Sequence, residues 1–196
     1  ARIRPMAGRH PLVDIDNTLV RRTLAGDLDA FDALVRRHRD VVFRVAARIV
    51  GPDEAEDVAQ DALLRAFHRL PQFRSDAPFR AWLLRSTHNT ALNALERRRP
   101  ERDAESVDEI ELPGDSPAHR AGAPVTSLEA GERRGWLAQK IGQLRPNHRS
   151  VLVLRDLEGL SYDEIADVTD MPVGSVKGRI HRARSELIDL LRNNTY

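Results

Sequence analysis

Apolar residues recur every three or four positions through "DAFDALVRRHRDVVFRVAARIVG". Phe31, Leu34, Val35, His38, Val42, Val45, Ala46 and Ile49 fall on one stripe, as an amphipathic helix requires. Gly51 and Pro52 close it. In "DEAEDVAQDALLRAFHRL", Asp53 is placed to cap a second helix, and the acids of its first turn suit the positive end of the dipole. Its inner face is Ala59, Leu63, Ala66, Phe67 and Leu70, and Pro71 stops it. A third helix is predicted from Phe79 to about Arg98, ending at Pro100.

The pattern then breaks. Residues 101–127 hold Pro113, Pro117, Pro124, Gly114 and Gly122 among the acids Glu101, Asp103, Glu105, Asp108, Glu109, Glu111 and Asp115. So few large apolar side chains cannot bury a core, and the stretch reads as an acidic, flexible linker. Helical periodicity resumes over 128–192. The expected fold class is therefore all-α: two small helical domains on an acidic tether. Residues 1–23 are expected to be an N-terminal arm, 24–100 the first domain and 128–196 the second.

The sharpest local signal is "LSYDEIADVTDMPVGSVKGRIHRARSEL". Ser161 followed by Glu164 is a capping box. A short helix carrying Ile165, Ala166 and Val168 follows, "TDMP" breaks it, and a second helix begins near Val173. Two helices across a tight turn predict a helix-turn-helix, whose second helix enters the DNA major groove. On that helix Val173, Val176, Ile180, Ala183 and Leu187 share the side expected to be buried. Gly178, His181, Arg182 and Ser185 lie opposite, flanked by Ser175, Lys177, Arg179 and Arg184. The outward face is thus cationic with a small centre, fit for close approach to phosphates and guanine edges.

Charge matters here by position rather than by sum. Lys plus Arg number 31 and Asp plus Glu 30, a formal net charge of +1. The chain has no cysteine, which excludes disulfides and thiolate metal sites and fits a reducing cytosol. No apolar run reaches the roughly 20 residues of a membrane helix, and the start "ARIRPMAGRH" lacks the apolar segment of a signal peptide.

On the second helix Asp57, Gln60, Asp61 and Leu64 share a face away from the core stripe. By residue pattern alone this is either a solvated acidic face or a protein-docking face. DNA would repel the acids. "FRSDAPFRAWLLRSTHN" gathers Phe73, Phe79 and Trp82 in a chain poor in aromatics, with Arg74, Arg80 and Arg85 among them. Aromatic faces can stack unpaired bases, but Phe79 and Trp82, three apart on a helix, equally suit a core.

The segment "LRPNHRSVLVLRDLEGLSYDEIADVTDMPVGSVKGRIHRAR" resembles the C-terminal DNA-binding domain of bacterial sigma factors of the extracytoplasmic-function (ECF) group, within the sigma-70 superfamily. The stretch containing "AEDVAQDALLRAF" and "FRAWLLR" resembles their N-terminal domain, and the order of the two is the expected one. The resemblance covers roughly 24–192. It implies a promoter-specificity subunit that directs promoter recognition, DNA opening and transcription initiation, with core RNA polymerase, promoter DNA and an anti-sigma factor as partners, in the cytoplasm.

Carried onto this chain, the resemblance assigns polymerase binding to Asp57, Gln60, Asp61 and Leu64. It assigns the minus-ten element to Phe73, Arg74, Ser75, Asp76, Arg80, Trp82, Arg85, His88 and Asn89. It assigns the minus-thirty-five element to Arg149, Ser175, Lys177, Gly178, Arg179, His181 and Arg182. It also implies a linker that threads the polymerase interior. The chain departs from the family pattern at Leu84, often aromatic in relatives, and at Ser86, Thr87 and His88. Further departures are Asp170, where relatives often have Gly, and Gly178, often Ser. Asp tolerates the left-handed conformation that such a turn needs.

Two other classes compete. The scattered histidines form no H-E-x-x-H pair, and no glycine-rich phosphate loop is present, so neither catalysis nor a cofactor or metal is expected. A stand-alone helix-turn-helix regulator would bind a palindromic duplex as a dimer.

Overall fold

The computed structural model describes residues 11–75, 77–98 and 127–193. Helix α1 (Pro11–Leu24) leads into α2 (Leu28–Val50), α3 (Pro52–Arg69) and α4 (Phe79–Arg98), with a 3-10 turn at Leu70–Gln72. The second half holds α5 (Ser127–Gln143), α6 (Pro146–Leu152), α7 (Tyr162–Thr169) and α8 (Val173–Arg192). No strand occurs among the described residues. The expected linker lies outside them, apart from Ser127, where α5 starts.

The stripe on α2 forms as its spacing predicts. Leu34, His38, Val42, Val45, Ala46 and Ile49 are buried, while Phe31 and Val35 are half-buried at the rim. Asp27 caps the helix by accepting from the Ala30 amide at 3.1 Å. Helix α3 starts two residues earlier than expected. Gly51 holds its N-cap at φ 97°, Pro52 stands in the first turn, and no side chain caps it. Asp53 is therefore a first-turn acid facing the dipole rather than the cap.

A second correction concerns the amino terminus. The stretch expected to be an arm is helical from Pro11 onward and packs on α2. Asp16, Val20 and Thr23 are buried there. Asp16 accepts from Arg37 Nε at 3.0 Å, with His38 Nε2 also at 3.0 Å. Burial opposes the charge on Asp16, but the bonds to His38 and Arg37 outweigh it and hold the carboxyl below its ordinary value.

In the second half, the predicted capping box is complete. Ser161 accepts from the Glu164 amide at 3.2 Å, and Glu164 accepts from the Ser161 amide at 2.8 Å. Asp170 takes the left-handed conformation, φ 60° and ψ 37°, between α7 and α8. Between α6 and α7 the chain opens into a wide π-helical turn at Val153–Leu157, followed by Glu158 and then Gly159 at φ 74°.

The two halves are packed together. Helix α4 lies on α7, and both α2 and α4 contact α6. Their apolar side chains merge into one buried cluster, with Val45, Ile49 and Leu84 on one side and Val151, Leu154 and Ile165 on the other. The sequence supports two modules. What it does not announce is that they share a core.

Candidate nucleic-acid and protein interfaces

Helix α3 presents Asp57, Gln60, Asp61 and Leu64 outward, and all four are exposed. They line one side of an open groove that Thr90, Ala94 and Arg97 of α4 complete. Leu64 is 51% exposed, a large apolar side chain standing among carboxylates. Such a combination suits docking to another protein, since an apolar anchor gains from burial and the acids set orientation.

The residues assigned to the minus-ten element are divided by the fold. Phe73 is only 8% exposed. Its ring centroid lies 5.5 Å from that of Phe79, edge to face, and 5.4 Å from that of Trp82, tilted. This cluster anchors the start of α4, so in this arrangement Phe73 is core and its ring is withheld from any base. Trp82 is half-buried beside it. Arg74, Ser75 and Asn89 are exposed, with Ser75 at φ 57° on the loop. Asp76 lies outside the described residues.

Arg80, Arg85 and His88 turn towards the second half instead. Arg80 donates to the carboxylate and to the backbone carbonyl of Glu158, both at 3.2 Å. Arg85 meets Asp170 at 3.2 Å. His88 is buried with its Nε2 3.3 Å from Ser150 Oγ. Burial pushes its pKa down to about 4, the nearby Arg179 charge adds to the depression, and the Asn89 amide opposes it.

On α8 the cationic face forms in part as expected. Ser175, Lys177 and His181 are exposed, and Arg182 is half-buried. Lys177 Nζ sits 5.4 Å from the centroid of the Tyr162 ring. Arg184, a flanking residue, is tied to Asp156 by two hydrogen bonds, at 3.0 and 2.6 Å. Gly178 is a correction: expected at the centre of the outward face, it is buried. Arg149 departs likewise. Its guanidinium donates to the carbonyls of Ile49, Gly142 and Leu144, the last at 2.9 Å, which commits the fork to backbone. Burial pushes its pKa below the ordinary arginine value, against the Glu186 charge.

Sequence reasoning missed Glu158. Its side chain is 3% exposed and accepts from Arg44 Nη2 at 3.2 Å, Arg48 Nη1 at 2.9 Å and Arg80 Nη2 at 3.2 Å. Arg44 and Arg48 stand one helical turn apart on α2, Arg44 exposed and Arg48 half-buried. That pair of cations was visible in the sequence. Its partner, more than a hundred residues away, was not.

A helix-turn-helix with an exposed basic second helix, in a chain whose α3 carries an exposed leucine among acids, has the features of a DNA-binding transcription protein with a protein partner. Comparison with known proteins makes this specific. Residues 34–101 match Sigma-70 region 2, and residues 134–187 match Sigma-70 region 4. The chain is 40% identical over 178 residues to the RNA polymerase sigma-H factor of Pseudomonas aeruginosa, covering 89% of this chain and 92% of the relative. It is 37% identical over 177 residues to the ECF RNA polymerase sigma-E factor of Escherichia coli K12, with the same coverage. Among solved structures, CnrH in complex with the cytosolic domain of CnrY superimposes with a TM-score of 0.66 at 31% identity, over 93% of this chain and 100% of that one. The chain belongs to the ECF group of RNA polymerase sigma factors.

Proposed function

We propose that this sigma factor divides its work between oppositely charged surfaces. The groove bearing Asp57, Gln60, Asp61 and Leu64 docks on core RNA polymerase. The loop with Arg74 and Ser75 and the α4 residues Arg80, Trp82, Arg85, His88 and Asn89 serve the minus-ten element, while Phe73 holds that loop against α4 from within the core. The face of α8 with Ser175, Lys177, Arg179, His181 and Arg182 reads the minus-thirty-five element, with Arg149 supporting from behind and the buried Gly178 left out of the contact surface. The observation that carries this reading is the contrast between the acids around Leu64 on α3 and the exposed Lys177 and His181 on α8, which point the two helices at chemically different partners.

Arg80, Arg85, His88 and Arg149 are engaged across the two halves in this arrangement. The reading therefore requires the halves to part before both promoter elements are contacted. The complex of CnrH with the cytosolic domain of CnrY supports a further protein partner, and an anti-sigma factor is the one the family resemblance implies. The role is binding and positioning rather than catalysis, and it is exercised in the cytoplasm, where polymerase and promoter meet. Among the described residues no helix is long and apolar enough to cross a membrane.

Transcription from matched promoters by core polymerase plus the full chain tests the assignment. Asp61→Arg is expected to weaken core association, and Arg182→Ala to leave core association intact while weakening use of the minus-thirty-five element. If both variants change core association equally, the division of labour is wrong.

A further inference from the structure

Glu158 does more than join two helices. Three guanidiniums, Arg44 and Arg48 from α2 and Arg80 from α4, converge on one nearly inaccessible carboxylate. Among the described residues it is the sole carboxylate within 4.0 Å of any of the three. One anion among three cations leaves the cluster positively charged even when closed. Arginine presents a planar fork matched to carboxylate and phosphate alike. Arg44 and Arg48 at one-turn spacing repel each other unless an anion lies between them.

Resting on the sigma-factor reading above, we infer that Arg44, Arg48 and Arg80 form an anion cradle that takes a backbone phosphate of promoter DNA, and that Glu158 occupies this cradle while the two halves are packed together. Glu158 thus stands in for a phosphodiester. When the halves part, the carboxylate leaves with the second half. Three cations then face water without a shared counterion, and the polyanion nearest to α4 in an initiating complex is the DNA that α4 engages. Arg80 already belongs to the minus-ten set. The inference adds Arg44 and Arg48, on a helix to which no nucleic-acid role had been given. It also makes the closed arrangement a competitor of DNA, because the same guanidiniums cannot hold Glu158 and a phosphate at once.

The test uses the full chain, alone and with core polymerase, and a fluorescent promoter fragment. In the reconstituted holoenzyme, Arg44→Ala with Arg48→Ala is expected to leave core affinity unchanged. The same pair is expected to reduce the slope of log affinity against log salt by about 0.7 to 0.9, as loss of one phosphate contact requires. In the free chain, Glu158→Gln keeps the shape and removes the charge. It is expected to enlarge the radius of gyration in scattering and to raise affinity for the promoter fragment several-fold. An unchanged salt slope in the double variant overturns the cradle. So does a loss of core affinity there, which would place these arginines on a protein interface. A Glu158→Gln chain with wild-type radius and DNA affinity overturns the competition. Circular dichroism of each variant confirms folding. Lys177→Ala serves as a reference that lowers the slope through α8 without altering the radius. Failure of the unaltered chain to support transcription with core polymerase would instead strike the sigma-factor reading, which separates the two failures.

Discussion

His88 of α4 and Ser150 of α6 meet across the two halves, Nε2 to Oγ at 3.3 Å, both buried. A histidine in this position stays neutral. Its pKa falls from 6.5 to about 4, chiefly because burial penalises the imidazolium, with the Arg179 charge adding to the effect. A chain with His88 released to solvent binds a proton below about pH 6.5, whereas the closed chain does not until about pH 4. The closed arrangement is therefore at full strength above pH 6.5 and loses stability as pH falls towards 4, by on the order of 3 kcal/mol at the low end. Thermal denaturation across this range is expected to show the loss. His88→Gln should flatten this part of the profile, and a slope unchanged by the substitution would assign the dependence to other groups.

Arg149 is expected to behave as a structural residue in the free chain. Its fork serves the carbonyls of Ile49, Gly142 and Leu144, and truncation leaves carbonyl groups without donors. Arg149→Ala should cost about 2 kcal/mol in denaturant unfolding. Arg149→Lys should recover little of it, since a point charge cannot span three acceptors. By contrast Arg182→Ala should change stability by less than about 0.5 kcal/mol.

Asp16 fastens α1 to α2. Asp16→Ala strands Arg37 and the buried His38 without their acceptor, and the expected loss is about 2 to 3 kcal/mol. Because the bonds to His38 and Arg37 hold its carboxyl below 3.8 against burial, the contribution is present above that pH and disappears only as pH falls through the lowered folded value. Chemical denaturation at pH 7 and at pH 3 should show the variant's deficit shrinking at the acid end.

The capping box on α7 offers a local measurement. Ser161→Ala removes the acceptor for the Glu164 amide and should destabilise by about 1 kcal/mol, whereas Ser161→Gly should cost only a few tenths. A shift in denaturant midpoint at constant slope would identify the effect as one on stability alone.

The turn chemistry of the second half was legible in the sequence because its causes are local. Ser161 and Glu164 are three residues apart, and Asp170 is a residue type that tolerates the left-handed region it occupies. The stripe on α2 was legible for the same reason, since periodicity is a property of one segment. Gly178 was misplaced because the helical wheel assigns sides relative to the helix's own apolar face. It carries no information about what covers the opposite side. Phe73 illustrates the converse: a loop aromatic looks available until Phe79 and Trp82 are seen to enclose it. The placement of Arg80 and Arg85 depends on Glu158 and Asp170, from the other half of the chain. No pattern within a short window can disclose such pairings.

The wide turn at Val153–Leu157 sets the bearing of everything after it. A π-helical turn holds one more residue than an α-helical one, and each residue of a helix advances the chain by about 100°. Deleting a single residue there would let α6 run on as ordinary helix and swing Glu158 by roughly a quarter-turn, away from α2. The spare residue works as a phase shifter, and a change in chain length by one, with every charge retained, is expected to unhook the two halves.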